Sequence, residues 1–171
     1  MTFSHKSDAA IADRGRVMNV KLVLDEKLDE PYMRRCIELA QQAKLQGNTP
    51  VGSIVVLNDD IIGEGVEGLP AGNNITSHAE ILACQAAVIR MGNRKLTGST
   101  LYTVAEPCFM CSYVIRECDI SRVVFGLETP VIGGITSAHP ILTDPFSTWP
   151  PPPEIRRGVL RSECLQLRHS T

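Results

Sequence analysis

Two short segments constrain this chain more than any other feature: Ser77-His78-Ala79-Glu80 and Pro107-Cys108-Phe109-Met110-Cys111. Each stands where a helical pattern begins, and a strand-like run, Thr100 to Val104, lies between the two helices. A helix joining two parallel strands of one sheet crosses over in a right-handed sense. Successive crossovers of this kind bring their helix N-termini to one edge of the sheet, where ligands commonly bind. The sequence therefore has to build a sheet that delivers both segments to the same edge.

The rest of the pattern agrees. Asp29 reads as an N-cap and Pro31 fits the first helical turn. Met33, Cys36, Ile37, Ala40 and Ala43 then recur at helical spacing and define a buried face that Gly47 closes. Val51 to Leu57 and Ile61 to Val66 are strand-like, and Asn58-Asp59-Asp60 between them predicts a hairpin. Glu67 to Ser77 is a loop rich in Gly and Asn. His78 to Met91 predicts a helix ended by Gly92; Ala79, Ile81, Leu82, Ala83, Ala86 and Val88 cover almost its whole circumference, so it is expected to be buried. Cys108 to Glu117 predicts a third helix, and Arg122 to Leu127 a fourth strand. Residues 129–153 are loop-like. The fold class expected is α/β, a three-layer α/β/α sandwich around a mixed sheet.

A chain of 171 residues suits one domain. The expected organisation is an extension over 1–28, with a short apolar patch at Val20 to Leu24, and a single domain over 29–171. No apolar run is long enough to cross a bilayer. The first residues lack the uninterrupted apolar core of a secretory signal, so a cytoplasmic location is expected. A formal net charge of −2 does not suggest a protein that coats nucleic acid. Arg156, Arg157, Arg161 and Arg168 read as a solvated helix face.

Six cysteines in a chain of this length without an export signal favour metal binding or burial over disulfides. Cys108 and Cys111 lie at i and i+3, so both thiols can address one ion from a single helical turn, and the helix N-terminus favours their thiolates. With His78 they form a set of imidazole and thiolate donors suited to zinc (Zn2+). Three protein ligands leave a position for water, the mark of a catalytic zinc. Glu80 can face that position without binding the metal and shuttle protons. Read singly, the Cys-x-x-Cys pair could be a redox pair or two core thiols, and His78 a polar helix terminus. Cys36, Cys84, Cys118 and Cys164 are expected as buried small apolar residues.

Together, His-x-Glu and Pro-Cys-x-x-Cys at two successive helix starts match the signature of zinc deaminases. The chain resembles the cytidine and deoxycytidylate deaminase superfamily. It is most similar to the branch of tRNA adenosine, guanine and fungal-type cytosine deaminases. The similarity runs from about Asp29 to Leu127. It includes Pro50-Val51-Gly52, Ile62-Gly63-Glu64-Gly65, His78-Ala79-Glu80-Ile81, Leu101-Tyr102-Thr103, Glu106 to Cys111, and Arg122-Val123-Val124-Phe125-Gly126. The resemblance implies a zinc ion held by His78, Cys108 and Cys111, Glu80 as proton shuttle, the Ala79 backbone amide as a donor to substrate, and commonly a homodimer.

Glu67 stands where many relatives carry an Asn that contacts substrate, and the resemblance makes it a substrate-binding residue. A solvent-facing Glu67 is the alternative. The tRNA adenosine deaminases usually carry a Lys-Thr-Gly-Ala-like segment where this chain reads Glu128 to Gly134, and their basic, aromatic tail is not evident here. The expected substrate is accordingly a small nucleobase-like aminated ring, with a tRNA adenosine as the second reading and a non-catalytic zinc interaction protein as the third.

Overall fold

In the computed structural model the described residues are 27–68 and 74–169; the patch at Val20 to Leu24 lies outside them. Helix α1 covers residues 27–45. It is followed by β1 (Gly52–Leu57), β2 (Asp60–Val66), α2 (Ala79–Met91), β3 (Thr100–Ala105), α3 (Phe109–Glu117), β4 (Arg122–Leu127), β5 (Glu154–Arg157) and α4 (Arg161–His169). The strands form one five-stranded sheet in the order β2-β1-β3-β4-β5. β1 is antiparallel to both β2 and β3, whereas β3, β4 and β5 run parallel. No helix among the described residues is long and apolar enough to cross a membrane.

The hairpin turn follows from its residues. Asn58 and Asp59 both take positive φ, and Leu57 pairs with Asp60. This is the two-residue primed turn whose twist matches that of the strands. Strand alternation then sorts side chains to two faces. Ile54, Val56, Tyr102, Val104 and Val124 pack with α1 and α4, and Val55, Leu101, Val123 and Phe125 pack with α2 and α3. The result is the expected α/β/α sandwich.

Helix α2 lies close on β2 because the contact is made of small residues. A Cβ on Gly65 would sit 2.0 Å from the carbonyl oxygen of Ala79, and one on Gly63 would sit 2.3 Å from that of Ala83. Only glycine admits this approach. It fixes the height of the α2 N-terminus, and hence of His78, above the sheet.

Three expectations are corrected. Asp29 is not an N-cap, since residues 27 and 28 are already helical. Its carboxylate is 2% exposed and accepts hydrogen bonds from Tyr102 Oη at 2.8 Å and from Arg122 Nη1 and Nη2 at 2.7 and 2.8 Å. Helix α2 is buried on one side from Ala79 to Ala87 and is exposed in its last turn. Ile89 is 81% exposed, because the close contact with β2 runs along one side of the helix and does not enclose its C-terminal turn. The C-terminal arginines do not share one helix face. Arg156 and Arg157 lie on β5, where Arg156 Nε reaches Asp29 Oδ2 at 3.3 Å, and Arg161 and Arg168 lie on α4. A four-residue edge strand is too short to show a period.

A candidate metal centre at the sheet edge

The two singled-out segments meet at the C-terminal edge of β3. His78 is the N-cap residue of α2 and Cys108 that of α3, both in extended conformation, and neither side chain caps its own helix. Both are therefore free to turn towards each other. Cys108 Sγ lies 3.8 Å from His78 Nδ1 and 3.6 Å from Cys111 Sγ. All three donor atoms fall within 4.8 Å of one another. Donor atoms about 2.0–2.3 Å from a central zinc in a tetrahedral shell are about 3.3–3.8 Å apart, so the spacing fits. Two thiolates and an imidazole select zinc over magnesium or calcium, which take oxygen ligands.

Glu80 lies beside this group. It is 4% exposed, and its Oε2 is 3.5 Å from Cys111 Sγ. Burial pushes its carboxyl up to about 8. The neighbouring Cys111 thiol holds Cys108 down at about 5, and the same contact raises Cys111. A divalent cation among these groups favours their ionised forms.

Glu67 does not point to solvent. It is 5% exposed, its N–H donates to Val51 O at 3.0 Å, and its Oε2 accepts the Ala79 N–H at 3.0 Å. Burial raises its carboxyl. Oxygens of Glu67 and Glu80 and a ring nitrogen of His78 lie within 4.8 Å of one another. The Ala79 amide, taken in the sequence as a donor to substrate, is occupied by Glu67 in this structure. Cys36, Cys84, Cys118 and Cys164 are buried and free, as expected.

Sequence reasoning missed two residues that hold the far wall. Glu106 is buried and accepts the N–H groups of Thr129, Ile135 and Thr136 at 2.7–2.8 Å, together with the Thr136 hydroxyl at 2.5 Å. Arg116 is buried within α3. It donates to the carbonyl oxygens of Ile141, Leu142, Asp144 and Pro150 at 2.9–3.3 Å and lies over the Trp149 ring, 5.0 Å from its centroid. These two residues pin the 129–153 segment against the helix that carries Cys111. A Glu directly before Pro-Cys was the one available signal; nothing in the sequence near Arg116 shows that its partners are main-chain carbonyls.

Residues 26–127 match the profile of the cytidine and deoxycytidylate deaminase zinc-binding region. A tRNA-specific adenosine deaminase of Haemophilus influenzae is 38% identical over 143 residues, which span 82% of this chain and 80% of that one. A structure solved in a study of A-to-I editing by tRNA:A34 deaminases at the wobble position of transfer RNA aligns with a TM-score of 0.74 at 28% identity, covering 80% of this chain and 97% of that one. Guanine deaminase from Bacillus subtilis aligns with a TM-score of 0.56 at 32% identity over 58% of this chain and 64% of that one.

Proposed function

This chain belongs to the cytidine and deoxycytidylate deaminase family, whose defining region binds zinc, and on that footing we propose that it hydrolyses the exocyclic amine of an adenosine carried in an RNA strand. The observation that carries the chemistry is the convergence of His78 Nδ1, Cys108 Sγ and Cys111 Sγ beside the buried carboxyl of Glu80. A structural zinc site needs no such carboxyl, which speaks against a purely interacting role. The relatives named as acting on tRNA support the RNA substrate. They favour the reading that the sequence ranked second over the small free ring it ranked first.

His78, Cys108 and Cys111 would hold the metal. Zinc bound there would supply an acidified water, its pKa lowered to about 7. Glu80 takes a proton from the nucleophile and delivers it to a ring nitrogen, then passes one to the departing ammonia. Its burial suits this work, because a carboxyl raised towards neutrality both accepts and releases protons readily. Helices α2 and α3, packed on the same face of the sheet, position these groups from their N-termini.

Glu67 favours a second reading, a free base. An ionised carboxylate only accepts hydrogen bonds. A ring presenting donors at that edge, as guanine-like, pterin-like or aminotriazine rings do, would match it, and the resemblance to the B. subtilis guanine deaminase points the same way. The exposed Tyr113 on α3 supports a homodimer, which the family resemblance implies.

The test is to incubate zinc-loaded protein with total tRNA, an anticodon-stem hairpin and a panel of free aminated rings, and to measure inosine and ammonia. Inosine in the RNA is expected. Ammonia from guanine-like rings alone would select the second reading, and none from any substrate would overturn both.

A further inference from the structure

A cavity of about 430 Å³ opens on the α1 and α4 face of the sheet, at the end of β3 that leads towards the candidate metal centre. Its polar lining is Lys44 from the end of α1, Asn48 and Thr49 from the segment leading into β1, and Arg168 from α4. Its floor is apolar, formed by Val51 and by Val104 and Ala105 at the end of β3. Both floor segments are joined to the candidate centre. Val51 O holds the N–H of Glu67, and Ala105 is followed by Glu106, Pro107 and Cys108.

The cavity is lined by two cations and, among the described residues, by no acidic side chain. Lys44 Nζ donates to the Leu167 carbonyl oxygen at 2.9 Å, which draws it alongside Arg168. Among the described residues neither cation forms an ion pair, whereas Arg34, Arg35, Arg122, Arg156 and Arg157 all do. Asn48 is 8% exposed, and its Oδ1 is buried with no hydrogen-bond partner. Buried polar atoms are nearly always satisfied, so an orphaned amide lining a cavity marks a place where a ligand or water completes the set. The oxygen and nitrogen of an Asn amide are assigned from their partners, so this side chain can present either end.

We infer that the Lys44, Asn48, Thr49 and Arg168 cavity binds a phosphate group of the substrate, so that a phosphorylated strand or nucleotide is engaged on one side of the sheet edge while its base enters the metal centre on the other. The inference rests on the deaminase reading above and deepens it. Lysine and arginine supply charge-assisted donors to phosphate oxygens, and Thr49 adds a hydroxyl. An RNA backbone and a free nucleotide share this chemistry.

The experiment measures binding on full-length zinc-loaded protein, with an anticodon-stem RNA hairpin, adenosine 5′-monophosphate and adenosine as probes, over a range of salt. Wild type should bind at least one phosphate-bearing probe about tenfold or more tightly than adenosine. K44Q/R168Q should remove most of that gain and reduce the slope of log K against log salt by about one. R168E, which removes no hydrogen bond within the described residues, should weaken binding further, with thermal melting reporting that each variant is folded. Loss confined to the hairpin assigns the cavity to the strand, and loss confined to the monophosphate assigns it to a nucleotide. If the variants bind both phosphate-bearing probes as wild type does, or neither probe exceeds adenosine, the inference is overturned. Loss of ammonia release with phosphate-dependent binding intact would sink the deaminase reading alone.

Discussion

The carboxylate of Glu67 accepts the backbone N–H of Ala79 at 3.0 Å, tying the loop that leaves β2 to the first turn of the helix carrying His78 and Glu80. One acidic side chain thus caps that helix and keeps a carboxylate oxygen within 4.8 Å of donor atoms of His78 and Glu80. An Asn in its place offers a donor as well as an acceptor. Glu67→Asn should therefore reorder the preferred substrates across a panel of RNA and free bases. An equal change on every substrate, or no change, would contradict a selective role. Stability should fall by no more than about 1.5–3 kcal/mol, the scale of a lost hydrogen bond to a charged group.

Metal removal should expose an unequal pair of thiols. The contact with Cys111 holds Cys108 at about 5 and raises Cys111, so in metal-free protein Cys108 is already thiolate in mildly acidic solution. Thiolate is the reactive form. Iodoacetamide should label Cys108 well before the five other cysteines, as read by peptide mass spectrometry, and zinc should suppress the labelling. Labelling insensitive to zinc would contradict the ligand assignment.

Arg116 should govern the 129–153 segment. Truncation to Ala removes donors to four carbonyl oxygens, those of Ile141, Leu142, Asp144 and Pro150, and the packing over Trp149. Arg116→Ala should cost about 2–4 kcal/mol. Hydrogen exchange should accelerate first in residues 134–150, and an unchanged exchange pattern would show that the segment is held by other contacts.

Asp29 should matter for stability and little for chemistry. It lies at the opposite end of the sheet from Cys108, buried among Tyr102, Arg122 and Arg156. Asp29→Ala leaves Arg122 without its main partner in a largely buried setting, a change worth about 3 kcal/mol. Melting should drop by about 6–12 °C with turnover below the transition retained. A variant that melts like wild type would place the cluster's energy elsewhere.

The sequence displays the site better than the scaffold. His78, Cys108, Cys111 and Glu80 stand in contiguous segments at helix starts, so their grouping follows once both helices are placed at one sheet edge. The β1–β2 hairpin and α2 are legible because Asn58-Asp59 and Gly92 are strong local signals. Asp29 misled because an acidic residue before a Pro-containing helical turn looks the same whether it caps a helix or neutralises distant arginines. β5 escaped because Glu154–Arg157 carries three charges on four edge residues, and its pairing with β4 is a long-range event. Glu106 and Arg116 bind main-chain groups, and side-chain patterns do not record which carbonyl or amide will arrive beside them.

The central claim is a hydrolytic replacement of an amine by a water oxygen with Glu80 carrying the protons. It is tested most directly by incubating zinc-loaded wild type and Glu80→Gln with an adenosine-containing RNA hairpin in ¹⁸O-labelled water and weighing the product nucleoside. The account predicts inosine carrying a single heavy oxygen from wild type. From Glu80→Gln it predicts about 10²–10⁴ less product, with zinc content and melting preserved. Product formed at the wild-type rate by Glu80→Gln, or inosine without the heavy oxygen, would contradict it.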